Sequence, residues 1–154
     1  MKILAVDPGE KRIGLAISDP TGTIARPLMI IKHTAREKDA QNIVDVAYEE
    51  DVALIIVGQA LDSEGQVGHQ AKKAQRLADA ILEVLRSEKK ELKVEMWDES
   101  GTTQAALQSR ILMGVSKKKR RGHLDDVAAS ILLQDYLNAN EMRFKADEVS
   151  DEQK

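Results

Sequence analysis

The chain has 154 residues, of which 42% are hydrophobic and 32% are charged, values that suit one globular domain and exclude a wholly disordered chain. It has no cysteine, which excludes disulfides and thiolate metal sites, and its formal net charge of −3 excludes a uniformly basic nucleic-acid-binding protein. No apolar stretch reaches the roughly 20 residues of a membrane helix. The short apolar start before Asp7 predicts no signal peptide, so we expect a cytoplasmic protein without membrane contact.

The first third of the chain predicts three strands and then a helix. The runs KILAVD and RIGLAIS flank PGEK, which is a strong hairpin signal. The run IARPLMII predicts a third strand, in which Pro27 favours a sheet edge or a bulge. Residues 34–37, TARE, match a capping box that opens a helix with apolar residues at helical spacing from Ile43 to Tyr48.

The middle of the chain predicts a strand, a helix and another strand. VALIIVG is a continuous apolar run of the kind found in buried parallel strands. Apolar residues from Ala71 to Leu85 recur at the spacing of an amphipathic helix. LKVEMW alternates as a half-buried strand that ends at Asp98 and Glu99.

The last part of the chain predicts two helices separated by a basic loop at residues 117–121. TTQAALQSRILM forms the first helix, and LDDVAASILLQDYL forms the second, with Asp125 and Asp126 in its first turn. The order of elements predicts an α/β fold whose mixed five-stranded sheet combines a three-stranded antiparallel meander with two crossover strands, flanked by helices. We expect one domain over residues 1–138 and a polar, frayed tail over residues 139–154.

Acidic residues stand at three predicted element ends: Asp7 after the first strand, Asp98 and Glu99 after the fifth, and Asp125 at the last helix. Each alone is most simply a turn former or a helix cap. Together they suggest a site, because ligands of open α/β sheets collect at the carboxyl ends of strands. Carboxylates without cysteine favour Mg²⁺ or Mn²⁺ over zinc, and such ions can clamp a phosphodiester. No histidine has metal-ligand spacing, and His33 is expected at the surface.

Basic residues are concentrated just before Asp125. Such a charge run is either a solvated surface or a grip for backbone phosphates, which adds affinity without sequence information. Lys11 and Arg12 of the first hairpin are further candidates for phosphate contacts. Aromatic residues make up 3% of the chain, so recognition by base stacking is not expected to dominate. The five consecutive cations are Lys117, Lys118, Lys119, Arg120 and Arg121.

Four motifs resemble the YqgF family across residues 1–138. In chain order they are VDPGEKRIGLAISD, IIVGQALDSEGQVG, DESGTT and KKKRRGHLDDVAASILLQDYL. Members of this family are small bacterial proteins with an RNase H-like fold, to which pre-16S rRNA nuclease and Holliday junction resolvase activities are ascribed. The resemblance therefore implies an RNase H-like fold and metal-dependent hydrolysis of phosphodiester bonds in structured RNA, in processing of the 5′ end of pre-16S rRNA.

The resemblance also implies a role for each acidic residue. It places Asp7 and Asp125 as ligands of Mg²⁺ or Mn²⁺, with one residue of the Asp98–Glu99 pair completing the site. Which of the two is the ligand stays open at this point, and Glu99 is favoured for its longer side chain. Both are counted as catalytic candidates.

Two segments depart from the family's usual pattern. Ser100-Gly101 stands where the family usually has Arg-Leu, which removes an arginine that could meet a phosphate or an acid. Gln59-Ala60 stands where a hydrophobic residue and proline are usual. Substrate preference therefore does not transfer directly from the family.

Three other functions stay open on the sequence. A Holliday junction resolvase would act on four-way DNA junctions as a homodimer, whereas an RNA nuclease, the favoured reading, works as a monomer or a homodimer. An actin-like ATPase shares the first hairpin pattern but needs two duplicated lobes, and the chain has no internal repeat. A non-catalytic RNA-binding module would not need the retained acids.

Overall fold

The computed structural model describes residues 1–60, 69–99 and 117–141, with the backbone alone at residues 60, 69, 70, 99 and 117–126. Within these ranges three strands come first, and then helices and strands alternate in the predicted order. The strands are β1 (Ile3–Pro8), β2 (Arg12–Ser18), β3 (Ala25–Lys32), β4 (Leu54–Ala60) and β5 (Lys93–Glu99). The helices are α1 (Arg36–Glu49), α2 (His69–Ser87) and α3 (Lys117–Ala139).

The strands form one mixed sheet in the order β3-β2-β1-β4-β5. The first three strands pair antiparallel, and β4 runs parallel to both β1 and β5. This confirms the predicted meander with two crossover strands. The sheet pairing is irregular between Leu15 and Ala16, opposite Pro27 on the edge strand β3, because proline donates no hydrogen bond to a ladder.

The two faces of the sheet bury separate apolar cores. Leu4 and Val6 of β1 belong to the core beneath α1 and α2. Ile3 and Ala5, which alternate with them, belong to the core beneath α3. Successive side chains of a strand point to opposite faces. Asp7, the next residue in the Ile3–Ala5 set, therefore faces the α3 side of the sheet.

The start of α1 differs from its prediction. Ala35 occupies the N-cap without a side-chain hydrogen bond, so the capping box predicted from TARE is wrong. Asp39, which is 1% exposed, instead accepts a hydrogen bond from the Thr34 amide at 3.3 Å and contacts His33 Nδ1. The His33 side chain is 34% exposed, so it lies at the surface as expected, although it also contacts this buried carboxylate.

Helix α3 begins earlier than predicted. It starts at Lys117, so the basic run is helical rather than a loop, and Asp125 lies in the third turn rather than the first. Lysine and arginine are good helix formers, and the single Gly122 does not end the helix.

The predicted helix at TTQAALQSRILM and residues 142–154 lie outside the described residues. No helix in the described ranges combines the length and apolarity needed to cross a membrane.

Candidate active site

Asp7 lies near the end of β1, where it pairs in register with Gly14 of β2. It is partly buried and has an interaction partner. Its position next to β4 puts it at the carboxyl ends of the three parallel strands, where ligands of α/β sheets bind. The structure thus places the first sequence-predicted acid at the expected edge of the sheet.

The turn after Asp7 is held from two directions. The Gly9 amide donates to the Arg12 carbonyl at 2.9 Å, and a Cβ atom at Gly9 would lie 2.5 Å from that oxygen. Lys73 Nζ of α2 donates to the Gly9 carbonyl at 2.9 Å and to the Glu10 carbonyl at 3.4 Å. These contacts fix the backbone that follows Asp7. Lys73 carried no signal in the sequence beyond its place in an amphipathic helix.

Asp98 faces away from Asp7. Gln59 Nε2 donates to Asp98 Oδ1 at 2.9 Å, and Gln75 Nε2 of α2 donates to Gln59 Oε1 at 3.2 Å. Gln59 is 6% exposed, whereas Gln75 and Asp98 are exposed, so these hydrogen bonds join α2, β4 and β5 through a buried central glutamine. The chain lies on the α2 side of the sheet, opposite the side that Asp7 faces.

Glu99 is the last residue of β5 and pairs with Ala60 of β4. It belongs to the alternating set that includes Glu95 and Trp97, both of which contact α3. The backbone register therefore places Glu99 at the same end of the sheet as Asp7 and on the same face. Its side chain is not among those described.

Helix α3 is anchored to β5 by polar contacts. Trp97 Nε1 donates to Asp135 Oδ2 at 3.3 Å, and the Tyr136 hydroxyl donates to Glu95 Oε2 at 2.9 Å. The Trp97 and Tyr136 rings meet edge to face with centroids 5.1 Å apart, a favourable aromatic geometry. These contacts fix the helix along the strand direction.

The packing of α3 against β4 gives its direction. A Cβ atom at Gly58 would lie 2.7 Å from Leu132 Cδ2, so Leu132 packs directly against this point of β4. Leu132 meets β4 near the strand's carboxyl end, whereas Tyr136 meets Glu95, farther from that end of β5. The helix therefore runs antiparallel to the parallel strands, and its earlier residues lie toward the end of the sheet where Asp7 is found.

Asp125 lies on the sheet-facing stripe of α3. It is one turn before Ala129, which is fully buried against the sheet, and residues four apart share a helix face. Its backbone thus approaches the end of the sheet that carries Asp7 and Glu99. The side chains of Asp125 and of the basic residues 117–121 lie outside the described ones, so their contacts stay predictions.

The basic hairpin residues Lys11 and Arg12 are exposed at this same end of the sheet. Arg12 begins β2 opposite Lys32, and the Lys11 carbonyl accepts the His33 amide at 2.9 Å. Among the side chains that the structure describes, no group of three potential metal ligands occurs. For the candidate acidic site, the structure thus describes the side chain of Asp7 and only the backbone positions of Glu99 and Asp125.

The chain is similar in sequence to known proteins over most of its length. A "Putative pre-16S rRNA nuclease" from Chloroflexus aurantiacus is 42% identical over 137 residues, which cover 89% of this chain and 86% of the relative. A relative of the same name from Thermoanaerobacter pseudethanolicus is 36% identical over 142 residues, covering 90% of this chain and 97% of the relative.

Solved structures with a similar backbone confirm the predicted RNase H-like fold. RuvC from T. thermophilus, in complex with a Holliday junction substrate, matches with a TM-score of 0.52 and 18% identity, covering 86% of this chain and 91% of that chain. The fowlpox virus Holliday junction resolvase matches with a TM-score of 0.53 and 18% identity, covering 90% of this chain and 99% of that chain.

The family model of RuvX, described as Holliday junction resolvase, matches residues 1–139. This chain belongs to the RuvX family, which is the family that its motifs resemble under the name YqgF.

Proposed function

We propose that this protein is a divalent-metal-dependent endonuclease that hydrolyses phosphodiester bonds in structured RNA and processes the 5′ end of pre-16S rRNA. The observation that carries the proposal is the placement of Asp7 at the carboxyl end of β1, on the sheet face covered by α3. The backbone brings Glu99 and Asp125 toward the same end and face. The relatives named as pre-16S rRNA nucleases support the choice of RNA.

The donor set of the proposed site fits a hard cation. Asp7, Glu99 and Asp125 would offer carboxylate oxygens, which suit Mg²⁺ or Mn²⁺ and not a thiophilic metal. Such a cation, when bound, supplies positive charge that offsets the repulsion between these carboxylates and a phosphate. Asp98 is left out of the ligand set because Gln59 holds its side chain on the α2 side of the sheet.

The protein's own cations would bind the strand beside the acids. Lys11 and Arg12 extend from the turn after Asp7, and residues 117–121 form the start of α3, which leads to Asp125. Contacts of this kind go to backbone phosphates and position a strand without reading its sequence. The Gly9–Arg12 and Lys73 hydrogen bonds hold the turn, so the Asp7 backbone stays in place while a strand binds.

A cleavage panel tests the proposed substrate. Purified protein is incubated with a pre-16S rRNA fragment, single-stranded RNA, single-stranded DNA and a four-way DNA junction, each with Mg²⁺, Mn²⁺ or chelator. We expect cleavage of the rRNA fragment with either ion and none with chelator. Cleavage that continues in chelator contradicts the metal-dependent assignment, and cleavage of the DNA junction alone contradicts the choice of RNA.

The second candidate is a Holliday junction resolvase, favoured by the description of the family model that matches residues 1–139. Two strands of a four-way junction must be cut symmetrically, so this function predicts a stable homodimer with two acidic sites. Sedimentation of the protein with and without a junction tests it. A dimer that cuts junctions in paired strands supports the resolvase, and a monomer on the junction counts against it.

A further inference from the structure

A small pocket lies behind the turn that follows Asp7, on the sheet face opposite α3. Its volume is about 200 Å³, below the roughly 300–1,000 Å³ typical of sites for drug-sized ligands. Ile13 and Leu77, both almost fully buried, form part of its apolar floor. The polar part of its lining comes from His33, Arg36, Asp39 and Lys73. Asp7, the one proposed acidic ligand whose side chain the structure describes, does not line this pocket.

The pocket contains two cations that no described carboxylate neutralises. Lys73 Nζ donates to the Gly9 and Glu10 carbonyls, and an ammonium has three donors, so one donor is left for a ligand. Arg36 is exposed at the start of α1. Within the described part of the chain, neither Lys73 nor Arg36 forms an ion pair.

Among the described residues that line the pocket, Asp39 is the only carboxylate, and its charge is used inside the protein. It is 1% exposed, contacts His33 Nδ1 and accepts the Thr34 amide. Because Asp39 is committed to these partners, it does not pair with Arg36 or Lys73. The pocket therefore keeps a positive balance over an apolar floor.

The backbone adds further donors at the same place. Helix α1 begins at Arg36 with Ala35 at the N-cap and no side-chain cap hydrogen bond. The first amides of a helix have no partner within it, and both Ala35 and Arg36 line the pocket. These amides add hydrogen-bond donors beside the two cations.

We propose that this pocket is a phosphate-binding site, separate from the acidic site, in which Arg36 and Lys73 hold the phosphate oxygens. A guanidinium binds phosphate through paired hydrogen bonds in a fixed fork, and the lysine on α2 adds a point charge. The ligand is a phosphate ester, either a phosphodiester of a bound strand or the phosphate of a free nucleotide. An occupant would contact the Lys73 side chain that also holds the turn after Asp7.

The direct test is a titration followed by NMR of backbone amides, in chelator and without any nucleic acid. The probes are inorganic phosphate and adenosine 5′-monophosphate. We expect saturable shifts at Gly9, Ala35, Arg36 and Lys73. Replacing Arg36 by glutamine should weaken the Kd by about 10- to 100-fold, the range for hydrogen bonds to charged groups.

Matched lysines outside the pocket serve as controls. Lys38→Gln on α1 and Lys72→Gln on α2 remove the same charge from exposed positions that do not line the pocket. Because solvent and salt screen these two exposed charges, the Kd for phosphate should change by less than about twofold. Lys73→Gln is the second pocket variant and should weaken phosphate binding as Arg36→Gln does. Circular dichroism confirms that each variant is folded before its titration.

Oligonucleotide binding distinguishes the two sources of phosphate. If the ligand is a strand phosphodiester, Arg36→Gln also weakens binding of a fluorescent RNA oligonucleotide and inorganic phosphate competes with it. If the ligand is a free nucleotide, Arg36→Gln weakens only the two small probes. Either result supports the phosphate site.

Two results would overturn the proposal. The wild type could show no saturable shift at the pocket amides. Alternatively, Lys38→Gln could weaken phosphate binding as much as Arg36→Gln does, which would mean diffuse attraction. The titration needs neither metal nor cleavage, so its outcome is independent of whether the protein is a nuclease.

Discussion

Gln59 Nε2 donates a hydrogen bond to Asp98 Oδ1 at 2.9 Å and holds this carboxylate on the α2 side of the sheet. Gln75 of α2 in turn donates to Gln59. Asp7 faces the other side, in the alternating set of Ile3 and Ala5. Adjacent acids at the end of β5 thus belong to opposite faces, and this separates their expected roles.

Conservative substitutions of the two acids should have unequal effects on cleavage. Glu99→Gln removes a proposed metal ligand, so we expect the single-turnover cleavage rate to fall by about 100-fold or more. Asp98→Asn changes a side chain on the other face of the sheet, so we expect its cleavage rate to fall by less than about tenfold. Each rate is measured with saturating Mg²⁺ on the rRNA fragment. Equal losses in the two variants would contradict the assignment by sheet face.

The glycine in the turn after Asp7 should resist substitution. A Cβ atom in Gly9→Ala would lie 2.5 Å from the Arg12 carbonyl oxygen, and this backbone is held by a hydrogen bond and by Lys73. We expect a loss of about 1–3 kcal/mol in the free energy of unfolding, measured with urea. Lys11→Ala in the same turn is the control, with an expected change within about 0.5 kcal/mol. Equal stability of Gly9→Ala and the wild type would show that the turn relaxes.

The polar anchors of α3 should contribute measurably to stability. Tyr136→Phe removes the hydroxyl that donates to the Glu95 carboxylate at 2.9 Å, at a cost of about 1.5–3 kcal/mol for a charged acceptor. Trp97→Phe removes the longer bond to Asp135 at 3.3 Å along with part of the ring packing. Urea unfolding measures the free energy of unfolding of both variants. A Tyr136→Phe protein as stable as the wild type would mean that this bond does not hold the helix.

Asp19 should make stability depend on acid pH. The backbone amide of Ile24, the Thr21 hydroxyl and the Thr23 amide hold the pKa of this carboxyl well below its usual range. A depressed folded-state pKa stabilises the fold at any pH above the unfolded value of about 3.9, and this stability is lost as the pH falls below it. We expect Asp19→Asn to be less stable than the wild type at pH 7 and to lose less on acidification. Parallel stability curves from pH 7 to pH 2 would contradict this role.

The sheet could be predicted from the sequence because its strands have local signals. Alternating or continuous apolar runs identified each strand, and Pro27 marked the edge strand where the pairing is irregular. The sequence does not predict the start of α3, because the basic run 117–121 has the composition of a charged loop although lysine and arginine also favour helices. Charge and helix formation are compatible, so charge alone does not define a loop.

The site was only partly predictable for a different reason. The alternation along β5 separates Asp98 from Glu99, but the sequence does not say which face α3 covers, so the choice needed the fold. The contact of His33 with Asp39 and the Lys73 bonds to the turn join segments through single side-chain contacts. Such contacts leave no periodic signal in the sequence, and the pocket they form could not be foreseen.

The most direct test of the account is the Mn²⁺- and Mg²⁺-dependent cleavage rate of the rRNA fragment by Asp7→Asn, compared with Asp79→Asn. Asp79 is exposed on α2, so its variant makes the same chemical change away from the acidic site. We expect Asp7→Asn to lose cleavage with both ions while its folded structure is unchanged, and Asp79→Asn to cleave like the wild type. Undiminished metal-dependent cleavage by Asp7→Asn would contradict it.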